Sequence, residues 1–284
     1  MKQPLLANEA LLNDISNSRS PGQLNLWWLG QSGFLVQYNN AHLLLDPYLS
    51  DSLTKKYAST NKPHVRMTER VIAPELLNFV DGVTSTHNHT DHLDGETLIP
   101  LLQVNPRLTV IVPRANQAFA AERLGVAPER LTPISVDERV TVGPFSLRAI
   151  PAAHEQLETD VAGEHKYVGY IVEVGGFTLY HSGDTVMYEG MTDHFTQPID
   201  VAMLPINGRD PARGVAGNLN AAEAVQLAKA IQAKIVIPCH YDMFEFNTVA
   251  PDEFVRLAQA AHQPIAVLQN GERLSLKSGV PMGQ

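Results

Sequence analysis

Hydrophobic positions along the chain fall into short runs with turn chemistry between them. Residues 24–29, 34–38 and 42–46 are β-prone and are separated by Gly30-Gln31-Ser32-Gly33 and Asn39-Asn40. Connections that short predict an antiparallel meander. Further strands are expected at 82–86, 109–112 and 145–150, and helical spacing occupies 94–103 and 113–124. The second half repeats the theme. Residues 168–174 and 177–181 flank Gly175-Gly176, a hairpin signal, while 200–204 and 234–238 are mostly apolar runs of the buried-strand type. Between the latter two, 220–233 reads as a helix with Asn220 as N-cap and Glu223 at its third position. Residues 251–262 read as a helix opening on proline, followed by strands at 265–268 and 273–276. Two sheet-rich halves, each with helices, predict an α/β fold of four layers, an α/β/β/α sandwich.

Residues 1–22 read as a helical or loose N-terminal extension ahead of a single domain at 23–284, which has no break of linker composition. The stretch 47–74 is polar and weakly patterned, an excursion able to overhang a site. A chain of 284 residues can bury a sizeable core. Its formal charge of -9, without a concentrated basic surface, argues against a nucleic-acid partner and leaves room for a small anionic substrate. Cys239 is the only cysteine, so no internal disulfide can form. No secretory signal and no apolar run of transmembrane length is visible. The expectation is a cytoplasmic protein without a membrane partner.

The candidate chemistry is concentrated in His87-Asn88-His89-Thr90-Asp91-His92, directly after the predicted strand at 82–86. Neutral imidazoles and carboxylates are ligands for first-row metals. The spacing does not suit one helix face, so the ligands belong to an irregular strand-to-helix connection. Such a loop can aim His87 and His89 at one ion and Asp91 and His92 at a second. Three further candidates stand just beyond predicted strands: His154, Asp184 and His240. Singly, these could be a surface histidine, a Gly-Asp turn and a satisfied core histidine; their shared placement favours ligands. His42, His64, His194 and His262 read as structural or exposed, and His165 and His181 as helpers near the site.

Together these residues resemble the metallo-β-lactamase superfamily of two-metal hydrolases. The closer likeness, to the L-ascorbate-6-phosphate lactonase group, rests on four segments. These are Trp27-Trp28-Leu29-Gly30, Thr86 through His92, Tyr180-His181-Ser182-Gly183-Asp184, and Ala233-Lys234-Ile235-Val236-Ile237-Pro238-Cys239-His240. The resemblance implies that His87, His89 and His154 hold one metal and Asp91, His92 and His240 the other, with Asp184 bridging. It also suggests a homo-oligomer. His89 stands where the oxygen-reducing diiron branch has a residue resembling a glutamate, which favours hydrolysis. The nitrogen and oxygen ligands suit Zn2+ or Mn2+.

Two divalent ions about 3.5–4 Å apart can share a hydroxide at neutral pH, with Asp91 both a ligand and the carboxylate that orients it or moves its proton. Arg209 and Arg213, in a loop after the run at 200–204, are candidates to hold a phosphate or carboxylate. Asn207 and Tyr241 are candidate neighbours of bound substrate. The expected function is hydrolysis of a lactone or ester of a small, anionic, sugar-like substrate. A phosphodiesterase of the phospholipase or nuclease kind and a non-catalytic metal-binding scaffold remain as alternatives.

Overall fold

The structure, a computed structural model, describes residues 1–210 and 217–277. Helix α1 (Asn8–Asn17) leads into strands β1 (Gln23–Gly30), β2 (Gly33–Tyr38) and β3 (Ala41–Leu45), which pair antiparallel as a meander. A short helix α2 (Ser52–Tyr57) follows in the polar excursion. Then β4 (Gly82–Thr84), helix α3 (Gly95–Val104), β5 (Thr109–Pro113), helix α4 (Gln117–Leu124) and β6 (Thr132–Ile134) extend the same sheet in parallel from β3.

The second sheet begins with β7 (Arg139–Val142), β8 (Phe145–Pro151), β9 (Val168–Val174) and β10 (Phe177–His181), all antiparallel. Strand β11 (Val201–Pro205), helix α5 (Ala221–Ala230), β12 (Ile235–Cys239) and helix α6 (Asp252–Ala260) continue it, with β10, β11 and β12 parallel. Strand β13 (Arg273–Lys277) returns to the first sheet beside β1. The result is a seven-stranded and a six-stranded sheet.

Alternation along β1 shows how the layers form. Leu24, Leu26 and Trp28 enter the core that includes β8, β9 and β10, whereas Trp27 and Leu29 join Leu11, Ile15, Leu98 and Leu101 in a second cluster. A strand carrying large apolar groups on both faces needs cover on both. Helix α1 is part of that cover, through Leu11 and Ile15. Asn220 and Glu223 form the expected capping box of α5. Residues 265–268 form no strand: Ile265 makes one isolated bridge to Val236. Pro264, just before it, has no N–H with which to extend a ladder. Among the described residues, no helix is long and apolar enough to cross a membrane.

One buried group of the first sheet yields a stability prediction. His42 on β3 is 1% exposed, and its Nε2 lies 3.0 Å from the Gln37 amide nitrogen. That nitrogen only donates, so this ring nitrogen carries no proton. Burial and nearby Arg19 push the imidazole down to about 4 against the pull of Asp81. The native state therefore resists a proton that the unfolded chain binds near pH 6.5. Stability from this group is complete above pH 6.5 and is lost as pH falls toward 4, amounting to about 2 kcal/mol between pH 7 and 5. His42→Gln should flatten the fall in melting temperature over that interval. Identical pH slopes in both proteins would contradict the assignment.

Candidate metal centre

Strand ends from both sheets converge on one place. After β4 the backbone crosses between sheets: Val168 N–H donates to Thr86 O at 3.0 Å and the Tyr170 hydroxyl to Ser85 O at 2.9 Å. Tied there, the chain cannot continue as a strand. It turns through His87–His92 and enters α3 after Leu93 N–H bonds His89 O at 2.8 Å. His154 follows β8, Asp184 follows β10, and His240 follows β12 directly. Gly183 makes the close approach possible. Its φ is +58°, and an added Cβ would sit 2.6 Å from Thr86 Oγ1. No other residue type fits a left-handed position at that distance.

Among the described residues, three overlapping groups of ligand atoms result: His87, His89 and His154; His87, His92 and Asp184; and Asp91, His92 and His240, each within 4.8 Å. Asp184 sits among them. One of its oxygens lies 3.2 Å from His92 Nε2, and the other 3.3 Å from His240 Nε2 and 4.0 Å from His154 Nε2. Asp91 Oδ2 lies 3.5 Å from His240 Nε2 and 3.7 Å from His92 Nε2. All seven histidines and aspartates singled out for metal in the sequence are thus brought together.

Their outward atoms are held by residues that sequence reasoning passed over. Asp46, fully buried at the end of β3, faces His92 Nδ1 at 2.7 Å and accepts from the Thr86 hydroxyl, Thr86 N–H and the Thr84 hydroxyl. His154 Nδ1 meets Gly217 O at 2.8 Å. Gln31, from the β1–β2 turn, donates to Asp91 Oδ2 at 2.8 Å and stands 3.1 Å from His240 Nε2. The contacts to Nδ1 of His92 and His154 fix ring orientation and leave the opposite nitrogen for a ligand. A lone carboxylate closing an otherwise apolar strand, at Asp46, was the available signal. His181 has a similar supporting place, with Nε2 2.8 Å from Ser32 O. Cys239 is buried, which pushes its thiol far up and keeps it uncharged.

The electrostatics fit cations. Burial, with smaller contributions from neighbouring imidazoles, pushes His87 well below its ordinary value. Burial also lowers His89, so both rings are neutral with a lone pair to give. Burial alone would raise Asp91 and Asp184. The facing imidazoles of His92 and His240 outweigh it and hold both carboxyls ionised, far below the ordinary range. In turn Asp184 and Asp91 lift His92 and His240 against desolvation, His240 to about 9. His87 Nε2, His92 Nε2 and Asp184 Oδ1 are sealed from solvent with no hydrogen-bond partner among the described residues. The last two face each other as an ion pair at 3.2 Å. Orphaned, converging, charge-selective atoms of this kind suit a pair of divalent ions.

The centre opens into a cleft of about 450 Å³. That is a small-molecule volume. Polar groups of the centre form one part of its lining, and Tyr57, Phe119, Phe244 and Phe246 supply aromatic surface. Residues of the 47–74 excursion, Lys56 and Lys62 among them, reach it as expected, and so does Arg123. Of the substrate-binding candidates, Asn207, Arg209 and Tyr241 do not line it. Arg209 makes two bonds to Glu223, at 3.2 and 2.7 Å, which occupy its guanidinium. Tyr241 is 3% exposed, packed on Trp28 with ring centroids 4.8 Å apart. Asn207 reaches the cleft through Asn247, to which it donates at 2.9 Å. Arg213 lies outside the described residues.

Residues 42–241 match the profile of the β-lactamase superfamily domain. A metal-dependent hydrolase of Saccharolobus solfataricus is 30% identical over 261 residues, covering 88% of this chain and 99% of the relative. A probable L-ascorbate-6-phosphate lactonase of Escherichia coli is 26% identical over 266 residues, covering 82% of this chain and 74% of the relative. Among solved structures, an isothiocyanate hydrolase from Delia radicum gut bacteria superposes with a TM-score of 0.70 at 18% identity, covering 89% of this chain and all (100%) of the other.

Proposed function

Because the chain belongs to the β-lactamase superfamily, among metal-dependent hydrolases, we propose that it opens a lactone or ester of a small, anionic, sugar-like substrate. The observation that carries this reading is the cleft, where cationic side chains border the ligand cluster. Its likeness to the ascorbate-phosphate lactonase supports the same choice. His87, His89 and His154 would hold one divalent ion, Asp91, His92 and His240 a second, and Asp184 both. When bound, such ions supply Lewis acidity and bring the pKa of water toward neutrality.

The protein's own groups do the rest. Asp91, with 15% of its side chain exposed, is the carboxylate of the centre most open to the cleft. Gln31 fixes its Oδ2 at 2.8 Å. Asp91 is therefore the group to take a proton from attacking water and return it to the leaving oxygen. Lys56 Nζ stands 3.4 Å from Thr90 Oγ1 and 5.1 Å from the centre of the Tyr57 ring. These contacts leave most of its donors for a substrate anion. Aromatic surface around the cleft keeps water from competing for the reacting carbonyl.

Purified protein loaded with zinc or manganese should hydrolyse sugar lactones faster than simple phosphodiesters. Turnover of phosphodiesters alone would overturn the lactonase reading, and turnover of neither would favour a non-catalytic scaffold. Lys56→Met should raise KM about fivefold for a phosphorylated sugar lactone, the worth of one exposed charge pair. KM for the uncharged lactone should stay within about twofold. Equal changes for both would remove Lys56 from anion recognition.

A further inference from the structure

His64 reads as a structural or exposed histidine in the sequence, yet it lines the same cleft as Asp91, Asp184 and His240. Its ring is clamped. Tyr57 stacks on it with centroids 4.3 Å apart and planes 22° from parallel, while Phe246 and Phe244 meet it edge-on at 4.4 and 5.0 Å. The segment that carries it is sutured as well. Thr54 Oγ1 donates to His64 O at 2.7 Å, Glu245 N–H to Val65 O at 3.0 Å, and Met67 N–H to Met243 O at 2.8 Å. The residues just after His240 therefore fix the excursion against the site.

Only one ring nitrogen is used. Nδ1 lies 2.9 Å from Lys62 O. A carbonyl oxygen can only accept, so Nδ1 bears the hydrogen. Burial pushes the imidazole below its ordinary value, which favours the neutral ring. In that tautomer Nε2 is a lone-pair acceptor, and it makes no hydrogen bond to the described residues. Packing alone would be met by a further apolar ring. A clamped imidazole with one acceptor left over is instead a preorganised reader of a hydrogen-bond donor. A carboxylate or phosphate brings no donor, so Nε2 cannot serve the anionic end that Lys56 attracts.

We infer that His64 is a specificity-determining residue whose Nε2 accepts a hydrogen bond from a hydroxyl group of the substrate. This rests on the hydrolase reading of the cleft and narrows its substrate to polyhydroxylated acyl compounds. An alkyl lactone of the same ring size leaves the acceptor desolvated and unpaired, which is where the selectivity arises.

The test uses the metal-loaded full chain with δ-gluconolactone and δ-valerolactone as probes. His64→Phe keeps an aromatic ring in the clamp and removes the acceptor. It should lower kcat/KM for gluconolactone about tenfold, the worth of one hydrogen bond, and leave valerolactone within twofold. Metal content and melting temperature should stay at wild-type values, and His64→Gln, which restores an acceptor, should recover part of the loss. Equal losses on the two lactones, or no loss on gluconolactone, would overturn the inference. If the wild type opens neither lactone, the lactonase reading fails by itself. Calorimetric binding of gluconate against valerate then decides His64. Gluconate binding weakened about fivefold or more by His64→Phe, with valerate unchanged, sustains the inference. Unchanged gluconate binding, or none in the wild type, overturns it.

Discussion

Asp184→Asn should lower turnover by about a thousandfold or more and leave the purified protein short of its full metal complement. The substitution keeps the shape of the side chain and removes its charge. Asp184 lies against His92, His240 and His154 at 3.2, 3.3 and 4.0 Å, so no other carboxylate serves all three. Its ionisation contributes most, ahead of Asp91, to lifting His92 and His240 against burial. An amide can neither neutralise two cations nor bind them both through charged oxygens. Metal analysis by mass spectrometry and hydrolysis assays on the same sample would check this. Two bound ions and wild-type turnover in Asp184→Asn would refute the bridging role.

The second large effect is expected at Asp46, which touches no candidate metal position. Asp46→Ala strips the partner from His92 Nδ1, the Thr84 and Thr86 hydroxyls and Thr86 N–H at a fully buried place. Breaking a buried, multiply bonded carboxylate costs about 3–5 kcal/mol, and losing the contact that orients a ligand costs about 10–100-fold in metal affinity. Denaturant melts should show the first loss in apoprotein, and competition with a chelator the second. Unchanged metal affinity in a folded Asp46→Ala protein would mean that His92 is oriented by other contacts.

The cluster of candidate ligands is legible in the sequence because its members follow strands in order, and strand ends can be located from apolar runs. The His87–His92 loop needs only local spacing to be seen. What escaped detection depends on contacts across the chain. Asp46 and His92 are 46 residues apart, and Gln31 and Asp91 are 60 apart. Nothing local to Asp46 or Gln31 marks them beyond polarity at the end of a strand and in a turn.

His64 was hidden for a related reason. The excursion that carries it has weak periodicity, and its place is set by the segment after β12, about 180 residues later in the chain. Nothing local to Arg209 marks its pairing with Glu223. Glu223 was recognised as half of a capping box, and the structure gives its carboxylate a second duty as the arginine's ion partner. Sheet order was legible at the β1–β3 meander and the β9–β10 hairpin. The placement of β13 beside β1 joins sequence ends that no local pattern links.

A two-ion hydrolytic centre built from these seven side chains would be seen in anomalous diffraction from crystals of metal-loaded protein. Two peaks per chain are expected, one within reach of His87, His89 and His154, the other of Asp91, His92 and His240, with Asp184 contacting both. A single peak, or peaks away from these residues, would contradict it.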